Sequence, residues 1–228
     1  MHILVINPNS SYKVTRNLEK TVHAPESVKL HFYTAPSDSP AEITPKNSLC
    51  SESAVLKDFT TNEALKEYDA FLVCCYSDHP LVQSLAQITH KPVLGIMQAT
   101  LLYALLMADT KLFILTSTSD WEPVLDQGII DFVGSDEFPS RRFYKTRGLN
   151  VNVTNLADEE QFAKICKVTK AILEEYEDAK CVLLGCAGMA GLDKKLGDAF
   201  PGIRFVDSVK VGVQFLESLV RFDRDNTK

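Results

Sequence analysis

Two stretches decide how this chain folds: "FLVCCYSD" at residues 71–78 and "VLLGCAGM" at residues 182–189. Each is a short apolar run of strand-forming residues that closes on a cysteine and then turns small or polar. Cys75 and Cys186 stand in register, 111 residues apart. Two further echoes flank them. "ILVINPNSS" from Ile3 returns as "LFILTSTSD" from Leu112 at an offset of 109, and "PVLGIM" from Pro92 overlies "IRFVDS" from Ile203 at 111. Three strand-plus-turn units recurring in one order imply two similar halves, with one strand-ending cysteine in each.

The rest of the pattern fits an α/β chain. Strands are predicted over 2–7, 28–34, 70–75, 92–96, 111–116, 149–153, 181–185 and 203–206. Helices are predicted over 10–22, 53–68, 80–89, 100–108, 121–132, 159–176, 193–199 and 209–222. Short β-rich runs separated by helical periods call for parallel sheets with crossover helices. Residues 35–45 carry three prolines and are expected as irregular loop. The fold expected is thus α/β, with two pseudo-symmetric parallel-sheet half-domains. In open sheets of this kind ligands sit off the carboxyl ends of the strands, where helix N-termini favour anions. Cys75 and Cys186 both lie at such ends, and a thiol there ionises more readily than a free one. If the halves face each other about a pseudo-twofold axis, so do the two cysteines.

Composition excludes several classes. The 228 residues carry 30 acidic and 24 basic side chains, a net charge of −6, and the basic ones are scattered. Nucleic-acid partners, which call for a concentrated basic face, are not expected. The start "MHILVINPNSS" lacks a basic region and has an apolar run of four residues, so it does not read as a signal peptide. The apolar window at 93–108 is short for a membrane span and contains Gln98 and Thr100. A soluble, cytoplasmic protein is expected, with no membrane partner. The six cysteines, at 50, 74, 75, 166, 181 and 186, include no Cys-x-x-Cys pair, and no His-x3-His pattern accompanies them. A disulfide framework or a zinc site is therefore not expected. The glycines of "GCAGMAG" lack the spacing and the Lys-Ser/Thr of a phosphate loop.

"INPNSS" at 6–11, "CYSD" at 75–78 and "LGCAGM" at 184–189 resemble the aspartate/glutamate racemase superfamily, and within it the hydantoin racemase branch with its allantoin racemase-like and fungal members. The resemblance runs from residue 3 to about residue 215. It implies two α/β half-domains, 1–97 plus 208–228 and 98–207, with the last helix returning to the first and a cofactor-independent site in the cleft. It implies that Cys75 and Cys186 are the acid/base pair. Around them it places Asn7, Ser77, Asp78, Gln98, Thr116, Ser117, Thr118 and the backbone of Ala187 and Gly188 as substrate-binding groups. The chain departs from the family where relatives carry an acidic residue after the fourth strand, which here reads Met97-Gln98, and where "CFGDP" is replaced by "CYSDHP".

The chemistry follows from stereochemistry. Inverting a carbon centre requires one group to remove a proton and a second to deliver one from the opposite face, so one thiolate and one thiol exchange roles between enantiomers. The C5–H of a hydantoin is acidified by the adjoining ring carbonyl, so neither pyridoxal nor a metal is required. The substrate expected is a small molecule of hydantoin type, allantoin or a 5-substituted hydantoin. An amino-acid racemase, a dicarboxylate isomerase or a decarboxylase would use the same cysteine pair. A non-catalytic binding protein and a thiol redox protein are the alternatives of other classes. Oligomeric state stays open, a homo-oligomer included. For the other thiols packing is the expectation: Cys50, Cys166 and Cys181 as small buried hydrophobes, and Cys74 on the strand face opposite Cys75. Asn9 reads as the cap of the first helix, His79 as a helix-start residue, and Asp207 and Ser208 either as helix caps or as groups reaching the site.

Overall fold

The first strand, β1 (His2–Asn7), is buried along nearly its whole length and is flanked by β2 (Lys29–Thr34) and β3 (Ala70–Val73). With β4 (Val93–Gly95) beyond β3 they form a parallel sheet of order β2-β1-β3-β4 in this computed structural model, which describes residues 1–59, 63–107, 110–151 and 159–226. A second parallel sheet follows in the chain. Its strands are β5 (Lys111–Thr116), β6 (Arg147–Gly148), β7 (Ala179–Gly185) and β8 (Arg204–Asp207), in the order β6-β5-β7-β8. The two sheets have the same order counted within each half. The helices are α1 (Tyr12–Thr21), α2 (Ser48–Phe59), α3 (Leu81–Thr89), α4 (Ile96–Leu106), α5 (Glu122–Val133), α6 (Glu159–Glu175), α7 (Leu192–Ala199) and α8 (Ser208–Asn226). None of the described helices is long and apolar enough to cross a membrane.

The chain forms two compact units, Met1–Ala99 with Val209–Lys228, and Thr100–Ser208. In the first, strand pleating sends Leu4, Ile6, Phe71 and Val73 to one face, where Val55 and Phe59 of α2 and Leu81 and Leu85 of α3 cover them. The opposite face takes α8 at close range. A Cβ on Gly212 would lie 2.5 Å from a methyl of Leu72, so the helix approaches only because that position is glycine. Glu217 accepts from Ser27 Oγ, and Arg224 pairs with Asp69 at 2.8 Å, fixing the returning helix along its length. In the second unit Phe113, Leu115, Val182 and Leu184 pack with Ile165, Ile172 and Tyr176 of the α6 segment and Leu192 and Leu196 of α7.

The registers carry the repeat. Ile6 pairs with Val73 in the first sheet and Leu115 with Leu184 in the second, reproducing offsets of 109 and 111. The fourth strands differ from the expected alignment. Val73 pairs with Gly95 but Leu184 with Asp207, so their equivalence is at 112 rather than 111. β8 runs one residue farther before its helix starts, which moves Gly95 onto Asp207.

Other expectations are corrected locally. α2 begins at Ser48, not at 53, because Asn47 closes a turn on Thr44 and its carbonyl takes the Ser51 N–H. It ends at Phe59, and a 3-10 turn, Glu63–Glu67, follows residues 60–62, which lie outside the described part. α4 starts directly after β4, at Ile96 rather than 100, and residue 108 is outside the described part. The strand expected at 149–153 is β6 at Arg147–Gly148, with residues 152–153 undescribed. The Leu149 and Asn150 N–H groups still bond to the Thr116 and Ser117 carbonyls, and the left-handed Asn150 (φ 52°) ends the ladder.

Candidate active site

Both cysteines of interest stand where a third strand gives way to a helix. After β3 the ladder extends one residue, the Cys74 N–H bonding to the Ile6 carbonyl at 2.8 Å, and Cys75 follows. After β7 comes Cys186 directly. Five residues then separate Cys75 from α3 at Leu81, and five separate Cys186 from α7 at Leu192. The two turns are equal in length, so His79 occupies the position of Ala190 and disturbs no alignment within the chain.

The Cys75 turn is closed and polar. Cys75 is 8% exposed, and its Sγ lies 3.4 Å from the Ser77 hydroxyl, itself buried. Asp78 stands exposed at the crest and accepts from Gln98 Nε2 at 2.8 Å. His79 is buried. Its Nδ1 accepts from the Leu81 N–H at 3.3 Å, capping α3 ahead of Pro80, and this supports the helix-start reading of the residue. Nε2 therefore carries the ring proton and has no partner among the described residues. Burial of the imidazole pushes its pKa down to about 4.

The Cys186 turn is tighter. Cys186 opens a 3-10 turn, Ala187–Met189, through a Met189 N–H bond to its carbonyl at 2.9 Å, and its side chain packs at the margin of the core. Ala187 and Gly188 are buried and begin the turn, where N–H groups have no partner inside the helical turn. Gly191 takes φ 87° to leave the turn, and its N–H bonds to Asp207 Oδ2 at 2.7 Å. Asp207 thus reaches from the end of β8 to hold the Cys186 turn, just as Gln98, after β4, reaches the Cys75 turn. The sequence alone left Asp207 between two roles; the structure adds this bracing of the turn.

Other expected site residues are committed to shaping the strand ends. Asn7 is fully buried. Its Nδ2 donates to the Ser11 carbonyl and to Thr15 Oγ1, both at 3.1 Å, while Oδ1 accepts from the Asn9 N–H. The amide holds the β1–α1 turn. Thr116, its counterpart in the second half, is buried too and donates to the Gly185 carbonyl at 3.1 Å, next to Cys186. Ser117 and Thr118 are half-buried in the loop after β5, bonded through their carbonyls to Asn150 and Trp121. Asn9 differs from expectation. Its side chain accepts from the Ser11 N–H at 2.9 Å, and Ser11 takes the cap position of α1.

The remaining thiols divide. Cys74 is buried on the other face of its strand end, near the Leu72 carbonyl. Cys181 is fully buried, and desolvation pushes its pKa up to about 11. Burial also raises that of Cys166. Cys50 departs from expectation: it is exposed, because the buried stripe of α2 begins one residue later at Ser51. Among the described residues no two cysteines form a disulfide, and no group of three or more His, Cys, Asp or Glu is arranged to hold a metal ion.

The family description Asp/Glu/hydantoin racemase matches residues 3–216, nearly the whole chain and both cysteine turns. The chain belongs to the Asp/Glu/hydantoin racemase family. The chain is similar to an uncharacterized protein of Schizosaccharomyces pombe, 34% identical over 100% of this chain and 95% of its own length. The hydantoin racemase of Rhizobium meliloti is 27% identical over 96% of this chain and 89% of its own. Allantoin racemase from Pseudomonas fluorescens superposes with a TM-score of 0.80, at 25% identity over 97% of this chain and 92% of that one. The family membership covers the repeat, the paired sheets and the two strand-ending cysteines together.

Proposed function

We propose that this family member racemises hydantoin-type substrates, allantoin or a 5-substituted hydantoin, without a cofactor and with Cys75 and Cys186 as its acid/base pair. The observation that carries the proposal is the equivalence of the two thiols. Each follows the third strand of a sheet of the same order, and five residues separate each from its helix. One acts as thiolate and removes the C5 proton; the other, as thiol, delivers a proton to the opposite face. In the reverse direction they exchange roles. Negative charge developing on the ring carbonyl oxygen is met by N–H groups of the turns, Ala187 and Gly188 foremost, at about 3 kcal/mol per well-placed donor. Ser77 donates to the Cys75 thiolate and so stabilises its ionised form. A cytoplasmic setting suits this chemistry, because a reducing compartment keeps both thiols reduced.

Single enantiomers of allantoin and of 5-substituted hydantoins, incubated in deuterated water, separate this function from its competitors. The wild type is expected to exchange C5–H and to lose optical rotation together. Cys75→Ala and Cys186→Ala should each abolish racemisation. Normal turnover in either variant would end the two-thiol mechanism. Exchange seen only with amino acids or dicarboxylates would move the activity to those substrates.

A further inference from the structure

α4 carries no charged residue from Ile96 to Leu106, yet it is not a fully buried helix. Leu101 and Ala104 face the core, while Leu102, Leu105 and Leu106 are 42%, 42% and 74% exposed. Spacings of three and four set these leucines side by side on one face. The helix behind them is held firmly. Arg142 Nη1 donates to the Ala104 and Leu105 carbonyls at 3.1 and 2.7 Å, and Arg204 Nη1 donates to the Tyr103 hydroxyl at 2.8 Å.

The repeat supplies an internal control. The fourth-strand registers lay Gly95 over Asp207, which sets α4 over α8 at an offset of 112. Burial follows the same alignment. Leu101 and Ala104 are buried as Val213 and Leu216 are, Tyr103 is half-buried as Phe215 is, and Leu102 and Leu106 are exposed as Gln214 and Ser218 are. Where α4 presents Leu102, Leu105 and Leu106, α8 has Gln214, Glu217 and Ser218. Equivalent positions of one fold are thus polar on one helix and apolar on the other. A single exposed leucine is ordinary; three adjacent ones, where the twin helix is polar, mark a surface that something covers.

We propose that the face of α4 formed by Leu102, Leu105 and Leu106 is where two copies of this chain associate about a two-fold axis. Area favours a second copy. The three leucines offer an apolar patch on the order of 300 Å², and two such patches face to face bury on the order of 600 Å². That is about half of the roughly 1,200 Å² at which specific interfaces begin, and a polar rim supplies the remainder. A two-fold contact is self-complementary, so each copy brings the apolar cover that the other lacks. Charge favours it as well. Each chain carries a net charge of −6, and an uncharged helix lets two of them meet without setting like charges against each other. A helix already fixed by Arg142 and Arg204 loses little freedom on docking. The inference is independent of the racemase function.

Sedimentation velocity of the full chain over about 1–100 μM tests it. The wild type should sediment as a dimer, or as a larger oligomer built from dimers. Leu102→Gln, Leu105→Glu and Leu106→Ser, introduced together, give α4 the residues that α8 carries at the equivalent positions, where the fold accepts them. This variant should weaken the association about a hundredfold or more and so sediment as a monomer, or as the smaller species, where the wild type is assembled. Circular dichroism and thermal melting check that it is folded. If it is not, Leu106→Glu, which changes only the most exposed of the three, takes its place and should weaken the association about tenfold or more. A wild type that stays monomeric over the whole range overturns the inference. So does an oligomer whose mass and dissociation constant are unchanged in the folded α4 variant, since its contact then lies elsewhere.

Discussion

Replacing His79 by asparagine should remove a pH dependence of stability that the buried imidazole builds in. Asn Oδ1 sits close to where His Nδ1 sits, so it can still accept the Leu81 N–H and cap α3, but it does not titrate. In the native protein the imidazole is held neutral, its pKa pushed from 6.5 down to about 4 by burial. The unfolded chain protonates it near the ordinary value. Between those two pH values the unfolded state binds a proton that the folded state refuses, so stability is fully present above about 6.5 and is lost as pH falls toward 4. At about 1.4 kcal/mol per pH unit the whole effect is on the order of 3 kcal/mol, and about 2 kcal/mol of it is gone by pH 5. Urea unfolding followed by the fluorescence of the single tryptophan, Trp121, and by circular dichroism at about pH 7 and pH 5 measures it. His31, whose pKa is also lowered, chiefly by burial, is common to both proteins and cancels in the difference. The wild type should lose about 2 kcal/mol more than His79→Asn over that interval. Parallel losses in the two proteins would refute the argument.

Gly212→Ala should destabilise the protein by about 1–3 kcal/mol through the clash with Leu72, and Leu72→Ala in the same chain should restore part of the loss; additive effects in denaturant titrations would count against the close packing of α8. Asp207→Ala leaves the Gly191 N–H without its acceptor and should cost about 1–3 kcal/mol. It should also change the alkylation rate of Cys186 while leaving that of Cys75 alone, which peptide mapping by mass spectrometry resolves. The same mapping at about pH 8 should find Cys50 modified early and Cys181 untouched while the fold is intact, since the first is exposed and the second is buried with a raised pKa. Labelling of Cys181 at the rate of Cys50 would contradict its burial.

How much of this was legible beforehand depends on the range of the interaction. β1 and β5 stand as expected, residue for residue, because their β-rich apolar runs are bounded by polar turns. Cys75 and Cys186 could be paired because the offset between two similar strand ends is a property of the sequence itself. Helix starts were less accessible. α4 begins at once after Gly95 and α2 five residues early, for reasons that lie in the turn before each helix and not in its apolar period.

The sequence by itself therefore determined the α/β alternation, the two-fold repeat and the matching thiols, since each is written in local pattern and spacing. Tertiary structure alone decided what the polar residues near those thiols do. Asn7 spends its amide on Ser11 and Thr15, Asp207 reaches 16 residues back to Gly191, and Gln98 is turned by Asp78 from 20 residues away. A hydrogen bond is settled by which donor and acceptor the fold brings within about 3 Å, and no periodicity in the chain records that.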